Sequence, residues 1–231
     1  MLTAPQNQAQ RLGFLQEKIA TAARAAGRNP ASVTLIGVAK AQPVTRILAA
    51  IDCGLEDIGE NYVQEADRHS AALAGRMLRW HFIGALQSNK TRPVAEHFDW
   101  VHTVDRLKIA ERLSEQRPPQ LAPLCVCIQV RLGGETTKSG IDPGALPALA
   151  ARISDLPRLS LRGLMSLPPE ENDRERQRHW FRALRNLRES LNAAGHRLDA
   201  LSMGMSNDFV AAIAEGATHV RIGTALFGER V

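Results

Sequence analysis

Lys40 ends the apolar run V-T-L-I-G-V-A-K (Val33–Lys40), and two loops rich in small residues lie near the end of the chain: Met203-Gly204-Met205-Ser206-Asn207-Asp208 and Arg221-Ile222-Gly223-Thr224-Ala225-Leu226-Phe227-Gly228. Lys40 shares its alternation with Thr34, Ile36 and Val38, so a strand whose inner set is that one aims the amine into the interior at its end. Desolvation there disfavours the ammonium form, and the neutral amine attacks aldehydes to form a Schiff base; a lysine that merely snorkels at the strand end is the competing reading. The loops suit an anion. Their small residues let backbone approach closely, Ser206 or Asn207 can cap the following helix and donate a hydrogen bond, and Gly223 and Thr224 offer adjacent N–H groups. Glu60-Asn61-Tyr62, His81-Phe82-Ile83-Gly84 and Met165-Ser166 extend the set of candidates. An aldehyde for Lys40, a phosphate for the two late loops and a flat ring between them describe pyridoxal 5′-phosphate.

Such residues converge only if a repeated scaffold brings strand ends together. The period-2 and apolar runs predict eight strands: Val33–Lys40, Asp57–Glu60, Trp80–Gly84, Trp100–Val104, Leu124–Arg131, Leu159–Leu167, Asp199–Gly204 and His219–Gly223. Helices are predicted between them: one opened by Pro43 and closed by Gly54, then Tyr62–Ala74, Ser88–His97, Arg106–Gln116, Pro143–Ser154, Asn172–Ala194 and Asp208–Glu215. This α/β alternation, about 29 residues per unit, fits a single (β/α)8 TIM barrel occupying residues 1–231 as one domain. An amphipathic helix carrying Leu12, Leu15, Ile19 and Ala22 precedes the first strand and is expected to cap the barrel bottom or pack on its flank. A doubly wound open sheet competes, but Ala39-Lys40-Ala41-Gln42-Pro43 stands where that fold carries its glycine-rich fingerprint. In a barrel the strand ends named above all face the C-terminal side, where such folds build their sites, and a phosphate site after the last two strands is the usual arrangement.

Composition bounds the function. With 44% hydrophobic and 23% charged residues the chain is globular, not disordered or collagen-like. Three cysteines are too few and odd in number for a disulfide framework, and Cys125 and Cys127 are expected on one side of a strand. The polar N-terminus and the absence of a long apolar window predict a cytoplasmic protein without a membrane span. The net charge of +5 rests on 24 Arg and 5 Lys against 24 acids. Arg174, Arg178, Arg182 and Arg185 alternate with Glu171, Asp173, Glu175 and Glu189 opposite a stripe of Trp180, Leu184, Leu187 and Leu191, which reads as a solvated helix face and not as a nucleic-acid surface.

Taken together, V-A-K-A-Q-P, G-E-N-Y-V-Q-E, W-H-F-I-G-A-L-Q-S-N-K, G-G-E-T-T-K-S-G, G-L-M-S-L, M-G-M-S-N-D and R-I-G-T-A-L-F-G resemble, in order from Val38 to Gly228, the pyridoxal phosphate homeostasis protein family. The resemblance implies a barrel similar to the N-terminal domain of alanine racemase, with Lys40 holding pyridoxal 5′-phosphate as an internal aldimine. It also implies that Ser206, Gly223 and Thr224 hold the phosphate, that Arg221 faces the pyridine nitrogen and that Asn61 lines the pocket. Arg221 has a physical argument too: it shares parity with Gly223, and a permanent cation beside that nitrogen keeps it unprotonated and weakens the ring as an electron sink. The alternative partner for Arg221 is an acid such as Glu60. Ala39 and Ala41 stand where the family commonly has Ser and Thr, and Arg131 where Asn is frequent.

These residues point to a carrier or buffer of the cofactor without catalysis of its own. In the similar racemases a tyrosine from an additional domain of the neighbouring subunit supplies the second acid/base, whereas this sequence offers one tyrosine, Tyr62, and is expected to act as a monomer. Apo-enzymes that accept the cofactor are the expected partners. The runner-up is a racemase of low activity using Tyr62, His81 or another top-face group as its base. A Schiff-base aldolase acting on a phosphosugar is a third reading. Lys138, in G-G-E-T-T-K-S-G, is a candidate second amine for transfer, against the plainer reading of a surface lysine.

Overall fold

The computed structural model describes residues 4–133 and 139–229; Lys138 lies outside the described residues. Eight parallel strands, β1 (Thr34–Val38), β2 (Asp57–Glu60), β3 (Arg79–Phe82), β4 (Trp100–Val104), β5 (Leu124–Gln129), β6 (Leu159–Met165), β7 (Ala200–Ser202) and β8 (His219–Ile222), pair in chain order and close between β1 and β8. Between and around them lie α1 (Ala4–Ala25), α2 (Val44–Asp52), α3 (Val63–Ala72), α4 (Thr91–His97), α5 (Leu107–Gln116), α6 (Leu146–Ser154), α7 (Arg174–Ala193), α8 (Phe209–Ala214) and α9 (Thr224–Phe227). The order and number of strands match the sequence-based expectation, while β1, β5, β6 and β7 are shorter than their apolar runs. A run that stays apolar past the last ladder bond reads as strand in a sequence although its backbone has already left the sheet. The four-residue α9 was not anticipated.

The main core lies between the sheet and its helices. Ile47 and Ala50 of α2, Leu146, Leu149 and Ile153 of α6, and Leu184 and Leu191 of α7 are buried there, which is what their three- and four-residue spacing demands. Of the two positions expected for α1 it takes the flank: it packs against α2, α8 and α9, and Gln8 donates from Nε2 to the Leu226 carbonyl at 3.0 Å.

The arginine row of α7 corrects the sequence expectation of a solvated face. Glu215, just after α8, is 1% exposed, and Arg178, Arg182 and Arg185 each reach its carboxylate at 2.8 Å. Burial opposes ionisation of Glu215, but the hydrogen bonds from Arg182 and Arg178 hold its pKa below the ordinary range. The helical spacing was right; a partner 30 or more residues away carries no local sequence signature. Glu215→Ala removes the shared anion and leaves three guanidiniums facing one another, so a loss of about 3 kcal/mol in urea unfolding is expected, and an unchanged midpoint would show that the clasp is dispensable.

Inside the barrel the lower end is polar. His81, Trp100, His102 and His219 form one cluster of rings, with His219 4.8 Å from Trp100 between centroids. Arg162 covers the Trp100 ring at 5.4 Å. Above them Cys127 packs with Met165 and Ala200. Cys125 receives Arg162 Nη1 at 3.8 Å, so the two cysteines share one side of β5, as their spacing predicted, and that side is the barrel interior. Burial raises the pKa of each thiol, which keeps them protonated and unreactive. Among the described residues no helix is long and apolar enough to cross a membrane, and no group of histidine, cysteine and acidic residues could hold a metal ion.

Candidate functional site

β1 ends at Val38, yet the Ala39 N–H still bonds the Gly59 carbonyl at 2.9 Å, so Lys40 is the first residue beyond the ladder and not its last member. The chain then turns through Ala41 at φ 55°, closed by the Gln42 N–H on the Ala39 carbonyl at 3.0 Å. Lys40 is half-buried and its Nζ stands 5.2 Å from the centre of the Tyr62 ring. One cavity of about 280 Å³ at the C-terminal mouth of the barrel is lined by Lys40, Asn61, Ser206, Arg221, Gly223 and Thr224 together with Val38, Gln42, Ile83, Leu167 and Met205. All six residues expected at a site therefore share one cavity, at the small end of ligand-site volumes.

The floor is set by β8. Arg221, 5% exposed, donates from Nη1 to Ser202 Oγ at 2.6 Å and from Nη2 to the Ser166 carbonyl at 3.1 Å. Burial pulls its pKa down to about 10, with Asp208 acting in the opposite direction from farther away. Glu60 is not its partner, because that carboxylate is buried against His69 at 2.6 Å. A cation surrounded by neutral partners has hydrogen-bonding capacity left over, and beside it the buried Ser166 hydroxyl has no partner among the described residues. A floor of this kind suits a ring that carries polar atoms better than an apolar ligand.

The two late loops approach from β7 and β8. Gly204, at φ 96°, leaves room for Phe209 and Ala212, whose atoms would lie 3.0 and 2.7 Å from a β-carbon there. The expected cap on α8 is replaced: Asp208 occupies the cap position, and its carboxylate accepts the Met205 N–H at 2.6 Å. Ser206 instead lines the cavity. Thr224 opens α9, whose Leu226 and Phe227 N–H groups both bond the Gly223 carbonyl, at 3.0 and 2.8 Å.

Asn61 is positioned by a close approach of backbones. A β-carbon on Gly84 would lie 2.1 Å from the Asn61 carbonyl oxygen, and Gly84 is itself held by Thr103 Oγ1 donating to its carbonyl at 2.6 Å. Gly84→Ala has no flexible side chain to displace and must push the Asn61 loop, so a stability loss of about 1–3 kcal/mol is expected in chemical denaturation. Wild-type stability in that variant would mean that the two backbones separate freely.

Tyr62 and His81 separate in space. Tyr62 is half exposed at the start of α3 beside Lys40. His81 is not a top-face group: it lies buried in the barrel, 2.9 Å from Asp57 and 2.9 Å from His102. Among the described residues the Arg131 side chain reaches the Gly140 carbonyl, at 3.5 Å, and it does not line the cavity. Sequence reasoning missed Ser202, which the inward alternation of β7 toward Arg221 would have revealed. Ile83, within the expected run His81–Gly84, does line the cavity, whereas the apolar wall Leu167 was missed.

Residues 10–231 match the family described as alanine racemase, N-terminal domain. The chain is 56% identical over 222 residues to a pyridoxal phosphate homeostasis protein of Pseudomonas aeruginosa, covering 96% of this chain and 95% of that one. It is 50% identical over 225 residues to the protein of that name from Escherichia coli, covering 96% of each. Among solved structures, PipY of Synechococcus elongatus with pyridoxal phosphate bound superposes with a TM-score of 0.85 at 38% identity, over 95% of this chain and 99% of that one. A Clostridium difficile alanine racemase shares the fold, with a TM-score of 0.73 at 16% identity, over 95% of this chain and 57% of the racemase. The chain belongs to the pyridoxal phosphate homeostasis protein family, built on the alanine racemase N-terminal barrel.

Proposed function

We propose that the chain binds pyridoxal 5′-phosphate in the cavity at the barrel mouth and carries it covalently on Lys40, as a monomeric, single-domain cytoplasmic carrier that supplies apo-enzymes and does no catalysis of its own. The observation that carries this reading is the convergence of one lysine, two small-residue loops and a buried arginine on a single cavity. The binding of pyridoxal phosphate by PipY, at 38% identity, supports the choice of ligand. When bound, the cofactor supplies an aldehyde to condense with an amine and a ring able to accept charge.

The chain's own groups divide the work. Ser206, Gly223 and Thr224 hold the phosphate with a hydroxyl and N–H groups. Arg221 presents a cation to the ring nitrogen and so withholds the proton that carbanion chemistry needs. Asn61 and the walls Ile83 and Leu167 flank the ring. The half-exposed Tyr62 leaves the mouth open to water, which favours exchange over controlled proton abstraction. Purified protein incubated with a panel of L-amino acids is expected to show no racemisation, decarboxylation or aldol cleavage above background. Turnover that disappears on Lys40→Ala would instead establish a cofactor-dependent enzyme.

A further inference from the structure

Asn61 and Tyr62 are not the only parts of G-E-N-Y-V-Q-E that face the Lys40 turn. Glu65 lies in the first turn of α3, and its Oε1 accepts the Ala41 N–H at 3.3 Å. Ala41 follows Lys40 directly and holds φ 55°, a left-handed conformation disfavoured for a residue with a β-carbon. Such a turn persists where its surroundings hold it. From one side Arg46 Nη1 donates to Gln42 Oε1 and to the Phe227 carbonyl, both at 3.2 Å. From the other side comes Glu65. Its second oxygen, Oε2, is buried with no partner among the described residues, and Glu60 Oε2 is in the same condition. Stabilisation of a helix N-terminus explains an acid in this turn, but not why its Oε2 is buried. Burial raises the pKa of Glu60, and the neighbouring Glu65 charge adds to that.

We propose that Glu65 is the positioning residue of Lys40: by accepting the Ala41 amide it holds the left-handed turn that aims the amine into the cavity, and it thereby sets the affinity for aldehyde ligands. This rests on the reading of Lys40 as the carrier amine. Condensation of that amine with an aldehyde forms a C=N bond and expels one water, and the turn holds the amine where the bond must form. Phosphate binding by Ser206, Gly223 and Thr224 does not depend on the turn.

The two contributions separate with two ligands. Pyridoxal 5′-phosphate carries the aldehyde, whereas pyridoxine 5′-phosphate carries an alcohol in its place and cannot condense. Glu65→Ala is expected to weaken and slow uptake of the aldehyde by about tenfold while leaving pyridoxine phosphate affinity within about twofold of wild type. Glu65→Gln keeps a carbonyl acceptor and restores uptake. Glu65→Asp keeps the charge but withdraws it by one methylene, so it repeats the selective loss and serves if the alanine variant does not fold. Equal losses for both ligands, wild-type uptake by the alanine and aspartate variants, or a glutamine variant as impaired as alanine would each overturn the inference. Borohydride reduction and peptide mass spectrometry of wild type distinguish this from failure of the function itself: an adduct on Lys40 with no effect of Glu65 sinks only the positioning role, and an adduct elsewhere sinks both.

Discussion

Lys40→Ala is expected to yield a folded barrel that takes up no borohydride-fixable cofactor and lacks the yellow colour expected of the cofactor-loaded wild type. The effect is expected to exceed that of any other single substitution at the site, because in the proposed function Lys40 contributes the one covalent bond and the remaining groups contribute only hydrogen bonds and charge. Affinity for pyridoxal 5′-phosphate should fall about a hundredfold, the order expected when a positioned amine stops acting as an intramolecular nucleophile. Affinity for pyridoxine 5′-phosphate should change little, since the loops after β7 and β8 are untouched. The apo-protein should melt near the wild-type temperature, because the half-buried Lys40 side chain stands beside the Tyr62 ring at the barrel mouth and not in the packed core. Mass spectrometry of a reduced tryptic digest gives the attachment point directly. Label persisting in the alanine variant, on Lys90 or Lys138, would refute Lys40 as the carrier amine. Loss of the pyridoxine phosphate affinity along with the aldehyde would mean that Lys40 serves as an anion partner instead of a nucleophile.

The strand ends were legible because two independent regularities converge there. Alternation identified which residues of β1 and β8 face inward, so Lys40 and Arg221 were aimed at the same space before any contact was known, and the order of the barrel then placed the loops after β7 and β8 beside them. What stayed hidden depends on long-range pairing. Glu215 reads as an ordinary acid after a short helix until α7 brings three arginines to it, more than 25 residues away in sequence. The sequence run Val33–Lys40 carries the strand through Ala39 to Lys40, two residues past the end of β1, and the turn becomes visible only in the backbone angle at Ala41. His81 was read as a top-face group because its strand was recognised but its height in the barrel was not. Height is set by register: His81 lies opposite Gly59 in β2 and Trp100, the first residue of β4.

That register creates the second large effect, a loss of stability in mild acid. His81 lies 2.9 Å from Asp57 Oδ1 through Nε2, and 2.9 Å through Nδ1 from His102 Nε2. With His81 donating to Asp57, His102 Nε2–H donates to His81, and His102 Nδ1 remains a buried atom without a partner among the described residues. Burial, reinforced by His81, His219 and Arg221, pushes the His102 pKa well below its ordinary value of 6.5. Burial and His81 push His219 down to about 3, with Asp57 and Asp199 opposing. A histidine whose folded pKa is depressed takes up its proton more readily when unfolded, so its stabilising contribution is complete above pH 6.5 and is lost progressively as the pH falls below it. For His219 alone the loss reaches about 3 kcal/mol by pH 4.5, and His102 adds in the same direction. Asp57, held down to about 2 against its burial by His81 and Arg79, extends the loss below its ordinary value of 3.8. Glu60 and Asp208, both raised by burial, act in the opposite sense and make the slope shallower than two protons. Urea unfolding at pH 8, 6 and 4.5 should therefore give stability that is level at first and falls once the pH passes 6.5. His219→Gln should flatten the curve even if it lowers stability at pH 8. Because His219 and Arg221 lie two residues apart on β8, an acid transition at the barrel bottom should disturb the floor of the cavity with it, and cofactor release should track unfolding. Stability that stays constant from pH 8 to 4.5 would mean that the histidine layer is solvated or already protonated in the folded chain.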